Sequence, residues 1–260
     1  MHAIALDDSR LLDTWDRAAA LDRPWRELAV LEGASGIPLD ELARLSIGAR
    51  DRLLLGVRIE TFGSRLECET TCPACGTRLQ LSLDATELVF PPRPVDASEL
   101  ELTEDKWTVR FRLPDSTDIA ACQDVLRDAA VAADRAPRDA AQVLAERCIT
   151  VVSAGDDRAP ALPERVPERV PVHVRECVAE RMSALDAQAD MSLDLNCAAC
   201  EHRWQAPFDP AAFLLREVDE YAARLTAEVH QLARAYGWSE ESILAMGPAR
   251  RRRYLSHLLQ

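Results

Sequence analysis

Two short cysteine pairs, Cys72-Pro73-Ala74-Cys75 and Cys197-Ala198-Ala199-Cys200, are separated by the whole of residues 76–196, and they constrain this chain more than any other feature. A Cys-x-x-Cys turn sets two sulfurs on one side of a metal, and zinc takes four such ligands tetrahedrally at about 2.3 Å. One pair alone fits a redox couple equally well. Two pairs in matching contexts fit the halves of a single site. Here an Arg lies three residues past each second cysteine (Arg78, Arg203) and a Gln five past it (Gln80, Gln205). Each turn also sits between alternating stretches. Leu66, Cys68 and Thr70 interleave with Glu67 and Glu69, Leu79, Leu81 and Leu83 interleave with Gln80 and Ser82, and Met191, Leu193 and Leu195 precede a return over Arg203 to Phe208. Period-two alternation predicts strands. The expected unit is a zinc ribbon split by a long insertion, with one zinc held by Cys72, Cys75, Cys197 and Cys200.

The competing account is four buried or redox thiols, and a thioredoxin-like site would need a βαβ context that neither turn has. With all four positions filled by protein, no coordination site remains for an activated water, so such a zinc is structural. Cys68 and His202 are substitute ligands to weigh, but Cys68 shares a face with Leu66, and Thr77 occupies the place in the first turn that His202 holds in the second. Cys122, Cys148 and Cys177 fall on apolar helical faces and read as core.

The remainder is helix-rich. Leu11 to Leu21 and Trp25 to Leu31 read as helices; Leu39 to Phe62 reads as one or two, stopped at Gly63. Glu99 to Leu102 and Trp107 to Leu113 predict a hairpin with Glu99 and Glu101 near Arg110 and Arg112. Asp115 or Ser116 would cap a helix carrying Ile119, Cys122, Leu126 and Ala129, and a second helix is expected over Arg138 to Val152. The prolines at 163, 167 and 171 mark a short degenerate repeat, read as a loop, with Pro171 opening a helix that turns Val174, Cys177, Val178, Met182 and Leu185 inward. Asp209-Pro210 opens a long helix to about Tyr236, Ser239 caps a short one, and Pro248 starts the last. The expected class is α+β. Its regions are an N-terminal helical region (1–63), the first half-ribbon (64–94), an inserted hairpin-and-helix subdomain (95–190), the second half-ribbon (191–209) and C-terminal helices (210–260).

A net charge of −13 disfavours a free-standing nucleic-acid binder, which needs cations to offset phosphate repulsion. No apolar run is long enough to span a membrane, and the N-terminus lacks a basic region followed by an apolar one, so synthesis in the cytoplasm is expected. No phosphate loop, G-x-S-x-G elbow or HExxH occurs, and an enzyme is not expected. Arg250, Arg251, Arg252 and Arg253 stand in the first turns of the last helix, where positive charge opposes the helix dipole. They read either as a solvated basic turn paired with acidic neighbours or as a docking contact for an acidic partner surface.

Several segments in order carry a resemblance. These are Ser46-Ile47-Gly48-Ala49-Arg50-Asp51-Arg52-Leu53-Leu54-Leu55 with Thr61-Phe62-Gly63, both cysteine turns, Val109-Arg110-Phe111-Arg112-Leu113-Pro114 with Asp118, Leu185-Asp186-Ala187-Gln188-Ala189-Asp190, and Val229 to Glu240 with Arg250 to Leu255. Together they resemble the baseplate proteins of contractile-tailed phages and of phage-tail-like contractile injection systems, related to T-even baseplate hub and assembly proteins. The resemblance implies a non-enzymatic role as a component or assembly factor, with other baseplate, hub or spike proteins as partners and the assembled particle as destination. Zinc rests on the cysteines, not on the resemblance. The alternative function is a zinc-ribbon adaptor for nucleic acid or a regulatory protein; a zinc hydrolase would need an open metal position.

Overall fold

The elements begin and end where local chemistry directs. In the computed structural model, which describes residues 5–131, 140–154 and 170–258, Asp7 accepts from the Arg10 amide at 2.9 Å and caps α1 (Asp8–Ala19). Helix α2 (Trp25–Ser35) ends at left-handed Gly36. Helices α3 (Leu39–Ala43) and α4 (Ile47–Phe62) follow, and α4 stops at Gly63, whose φ of 90° a side chain would resist. Strands β1 (Arg65–Thr71) and β2 (Arg78–Asp84) form an antiparallel hairpin. Strands β3 (Glu101–Glu104) and β4 (Trp107–Phe111) form another, in a register that sets Glu101 opposite Arg110 with Nε to carboxylate 2.5 Å apart.

Helix α5 (Ser116–Val131) is capped by Asp115, which accepts from the Thr117 amide at 2.9 Å. Next come α6 (Ala140–Cys148), strand β5 (Ile149–Ala154) and α7 (Val172–Leu185), for which Pro171 is the N-cap, one residue earlier than expected. Strands β6 (Ser192–Asn196) and β7 (Arg203–Pro207) pair antiparallel. Asp209 caps α8 (Pro210–Tyr236) by accepting from the Ala212 amide at 3.0 Å, and α9 (Glu240–Leu244) and α10 (Pro248–Leu258) complete the chain. The class is helix-rich α+β with small antiparallel sheets.

The hairpin and one helix differ from expectation. Glu99 lies in a short 3-10 turn ahead of β3 and pairs with Arg93, while Arg112 bonds to Asp118, so of the expected cross-strand set Glu101 and Arg110 are the pair that forms. The helix expected to run to Val152 ends at Cys148, and Ile149–Ala154 instead forms a strand antiparallel to β4, giving a sheet in the order β3-β4-β5. Ile149, Val151 and Val152 are β-branched, and such side chains lose rotamer freedom in a helix but pack well on a pleated surface. The loop assigned to Pro163 and Pro167 lies outside the described residues.

The chain divides into two compact units: Met1–Leu39, Leu53–Leu88 and Asp209–Gln260 make one; Asp40–Arg52 and Val89–Phe208 make the other. In the first, α8 buries Leu214, Leu215, Val218, Ala222, Leu225 and Leu232, a stripe at helical spacing. Against it pack α1, α9 and α10, and the core includes Leu11, Leu28, Leu31, Leu54, Leu66 and Ile243, each at most 1% exposed. Polar ties reinforce that core. Trp15 Nε1 donates to Asp219 at 2.8 Å, and buried Arg58 donates to Glu217 at 2.9 Å and to the carbonyls of Gly63 and Arg65.

In the second unit, Val109, Phe111, Ile149 and Val152 of the sheet close on Val174, Val178, Met182 and Leu185 of α7. Burying side chains of this size stabilises by about 1.5–3 kcal/mol each against leaving them exposed. Asp118, fully buried, accepts from both terminal nitrogens of Arg112 (2.6 and 2.9 Å) and from Arg147 Nε at 3.0 Å. Burial would raise its carboxyl, but the hydrogen bonds and charge of Arg112, seconded by Arg147, hold it below the usual range. The Gly48 amide donates to Asp186 at 2.9 Å, and a Cβ at position 48 would meet that carboxylate at 1.9 Å, so glycine is required there.

Candidate metal centre

Each cysteine turn is built by its own hairpin. In the first, the Cys72 amide donates to the Thr77 carbonyl at 2.9 Å and the Gly76 amide returns to the Cys72 carbonyl at 2.9 Å. Gly76 takes φ +73°, which closes the turn and delivers the chain to β2. In the second, the Cys197 amide donates to the His202 carbonyl at 2.9 Å and the Glu201 amide returns to the Cys197 carbonyl at 2.8 Å. Glu201 holds φ +58°, the position Gly76 holds in the first. Both turns bury their leading cysteine, Cys72 and Cys197, and expose the following one, Cys75 and Cys200.

The four sulfurs lie within 4.8 Å of one another. A tetrahedral zinc with sulfurs at about 2.3 Å would space those sulfurs about 3.8 Å apart, so four thiols gathered this closely suit such an ion in kind. The thiols carry no disulfide. Thr77 Oγ1 lies 3.2 Å from Cys75 Sγ, placing a hydroxyl where it can support a thiolate.

The remaining candidates fall elsewhere. Cys68 is outside the cluster, opposite Leu81 in the hairpin, and burial pushes its thiol up, which disfavours the thiolate a metal needs. His202 contributes its carbonyl to the turn, while its exposed ring stacks on Trp204 at 5.9 Å. Cys122 and Cys148 are buried, Cys177 is partly exposed, and burial pushes the Cys148 thiol up to about 12.

The arginine tetrad separates. Arg250, Arg252 and Arg253 are exposed, but Arg251 is 1% exposed and bonded inside the first unit, to Asp8 at 2.7 Å, Glu228 at 3.0 Å and the Met246 carbonyl at 2.6 Å. The same Asp8 accepts from Tyr221 at 2.6 Å, and burial together with that carboxylate pushes the tyrosine hydroxyl up to about 12. Sequence reasoning treated the four arginines alike. Nothing local marks the second of them, because both of its carboxylate partners lie far away in sequence.

The segments singled out by resemblance also meet one another. Within the second unit the Ile47 amide donates to the Pro114 carbonyl at 3.1 Å and the Gly48 amide to Asp186; Gln188 of the same segment accepts from the Phe90 amide, outside those segments, at 2.8 Å. They hold loops and helix starts in register. None of these ties converges on a cleft with nucleophile and base together, and no described helix is long and apolar enough to cross a membrane.

The chain is thus a helix-rich α+β protein with four clustered cysteines able to hold a metal ion. Comparison with known families supplies the particular: the family described as T4 bacteriophage base plate protein matches residues 34–215, and the chain belongs to it. It is a phage-tail baseplate structural protein by that membership. No curated protein and no solved structure matches the chain.

Proposed function

We propose that the chain is a non-enzymatic component or assembly factor of the baseplate of a contractile phage tail or contractile injection system, carrying one structural zinc. The family match over residues 34–215 carries this reading. Its partners are other baseplate, hub or spike proteins. It is made in the bacterial cytoplasm and bound for the particle.

Zinc is assigned to Cys72, Cys75, Cys197 and Cys200. Four thiolates would complete its coordination, so the ion's part is to hold backbone in place. In this reading the two hairpins are half-ribbons closing over an inserted subdomain at 95–190, flanked by helical regions at 1–63 and 210–260. The exposed arginines Arg250, Arg252 and Arg253 are offered as docking residues; Arg251 already has internal partners. A nucleic-acid adaptor is disfavoured by the net charge of −13.

The test is to probe purified tail particles and assembly intermediates for the chain by mass spectrometry. Presence in mature particles makes it a component; presence in intermediates alone makes it an assembly factor; absence from both overturns the proposal. Metal analysis of the purified chain should give one zinc.

A further inference from the structure

The first unit carries two patches of opposite sign around the start of α10, and neither is neutralised among the described residues. Arg250, Arg252 and Arg253 are exposed and make no ion pair among the described residues. They sit where positive charge opposes the helix dipole, so helix stability does not account for them. Arg250 lies over the Tyr254 ring at 5.9 Å, and Tyr254, Trp238 and Tyr236 form an aromatic trio with centroids 4.5 to 5.7 Å apart. Tyr236 is 37% exposed. Arg, Trp and Tyr are the residue types that dominate interface energies.

Beside this patch is an open groove of about 810 Å³ that reaches Pro248, the first residue of α10. Leu12, Leu244 and Met246 line it with apolar surface, and Asp13, Glu240 and Glu241 add three exposed carboxylates. Those carboxylates make no ion pair among the described residues either. Asp8 also borders the groove but is engaged by Arg251 and Tyr221.

Three unpaired guanidiniums beside three unpaired carboxylates form a self-complementary face. A two-fold contact sets each patch of one copy on the other patch of its mate, so adjacent patches of opposite sign are satisfied twice at one interface. We propose that this face docks a second copy of the chain, with Arg250, Arg252 and Arg253 of each copy over the Asp13, Glu240 and Glu241 groove of the other. The net charge of −13 opposes association at long range. In about 0.15 M salt the screening length is about 8 Å, so charges in contact outweigh distant ones. The inference takes up the exposed arginines assigned above to docking. Its failure would leave the baseplate reading standing, because that reading is tested on particles.

Sedimentation of the purified full chain provides the test. In about 0.15 M salt a concentration-dependent dimer is expected, weakened at least about tenfold in about 1 M salt. Arg252→Glu with Arg253→Glu should yield monomers, as should Asp13→Arg with Glu241→Arg. Mixing the two reversed proteins should restore a dimer, since each then meets opposite charge at both patches. Arg252→Ala with Arg253→Ala weakens the dimer without reversing charge and guards against a reversed variant that misfolds. A wild-type chain that stays monomeric up to about 100 μM, a dimer that survives both reversals, or reversed variants that remain monomeric when mixed overturns the proposal.

Discussion

The two cysteine turns use the same pair of backbone hydrogen bonds, yet they differ in residue choice at the left-handed position and in the hairpins that carry them. The first has Gly76 at φ +73° and rides on seven-residue strands; the second has Glu201 at φ +58° on five-residue strands. The outer face of the first hairpin is tied by Arg78 and Gln80 to Glu69 and by Ser82 to Glu67. In the second, Gln205 to Asp194 at 3.1 Å is the side-chain tie across the strands. What the turns share is imposed by presenting two sulfurs to one point. What they do not share is the number of cross-strand side-chain ties, so the first hairpin is the better equipped to hold its shape alone, and the second would depend more on a bound metal.

Removing one cysteine of the cluster is the most severe perturbation of the two turns. Cys72→Ser, Cys75→Ser, Cys197→Ser and Cys200→Ser should each abolish binding of the proposed zinc and cost about 4 kcal/mol or more, because metal binding and folding are one equilibrium. Metal analysis with thermal unfolding checks this. A Ser variant of either turn that keeps a full zinc would mean the four sulfurs do not act as one set. Stripping zinc with a chelator should raise amide exchange in β6–β7 more than in β1–β2 if the second hairpin is the dependent one.

The left-handed position offers a subtler exchange. Glu201→Gly should stabilise by about 0.5 kcal/mol, relief of the left-handed backbone exceeding the entropy that glycine loses on folding. Gly76→Glu should destabilise by about 1 kcal/mol. A Cβ at position 76 would meet nothing within 4 Å, so the second effect reports backbone conformation rather than crowding. Denaturant titration resolves both, and equal effects at the two sites would erase the distinction drawn here.

Smaller again is the outer face of the first hairpin. Arg78→Ala should cost at most about 0.5 kcal/mol, as the pair with Glu69 is exposed, and the loss should shrink in high salt. The smallest effect belongs to His202→Ala, which should leave one zinc per chain and unfolding nearly unchanged. Loss of zinc in that variant would make His202 a ligand and remove the equivalence of the turns.

The turns were legible in the sequence because their code is local: spacing of two cysteines, alternation on both sides, matched Arg and Gln. Caps were legible for the same reason, as Asp209 and Ser239 show. What sequence left unread was decided across distance. Ile149–Ala154 is a strand because β4 is there to pair with it, and its apolar run alone does not separate strand from helix. Gly48 looks like a weak link in a helix until Asp186, 138 residues on, is found occupying the space a Cβ would need. Arg251 looks like its neighbours until Asp8 and Glu228 are brought to it.

That last contact bears on how the chain can be cut. Asp8 and Arg251 both lie outside the residues that match the family, as does Glu217, the partner of Arg58. A fragment trimmed to residues 34–215 would lose α1 and most of α8, and with them Leu11, Val218, Leu225 and Leu232 of the first unit's core. Such a fragment would present sticky apolar surface and precipitate, however well it obeyed the family's boundaries. Anyone subdividing the protein should keep its head and tail together.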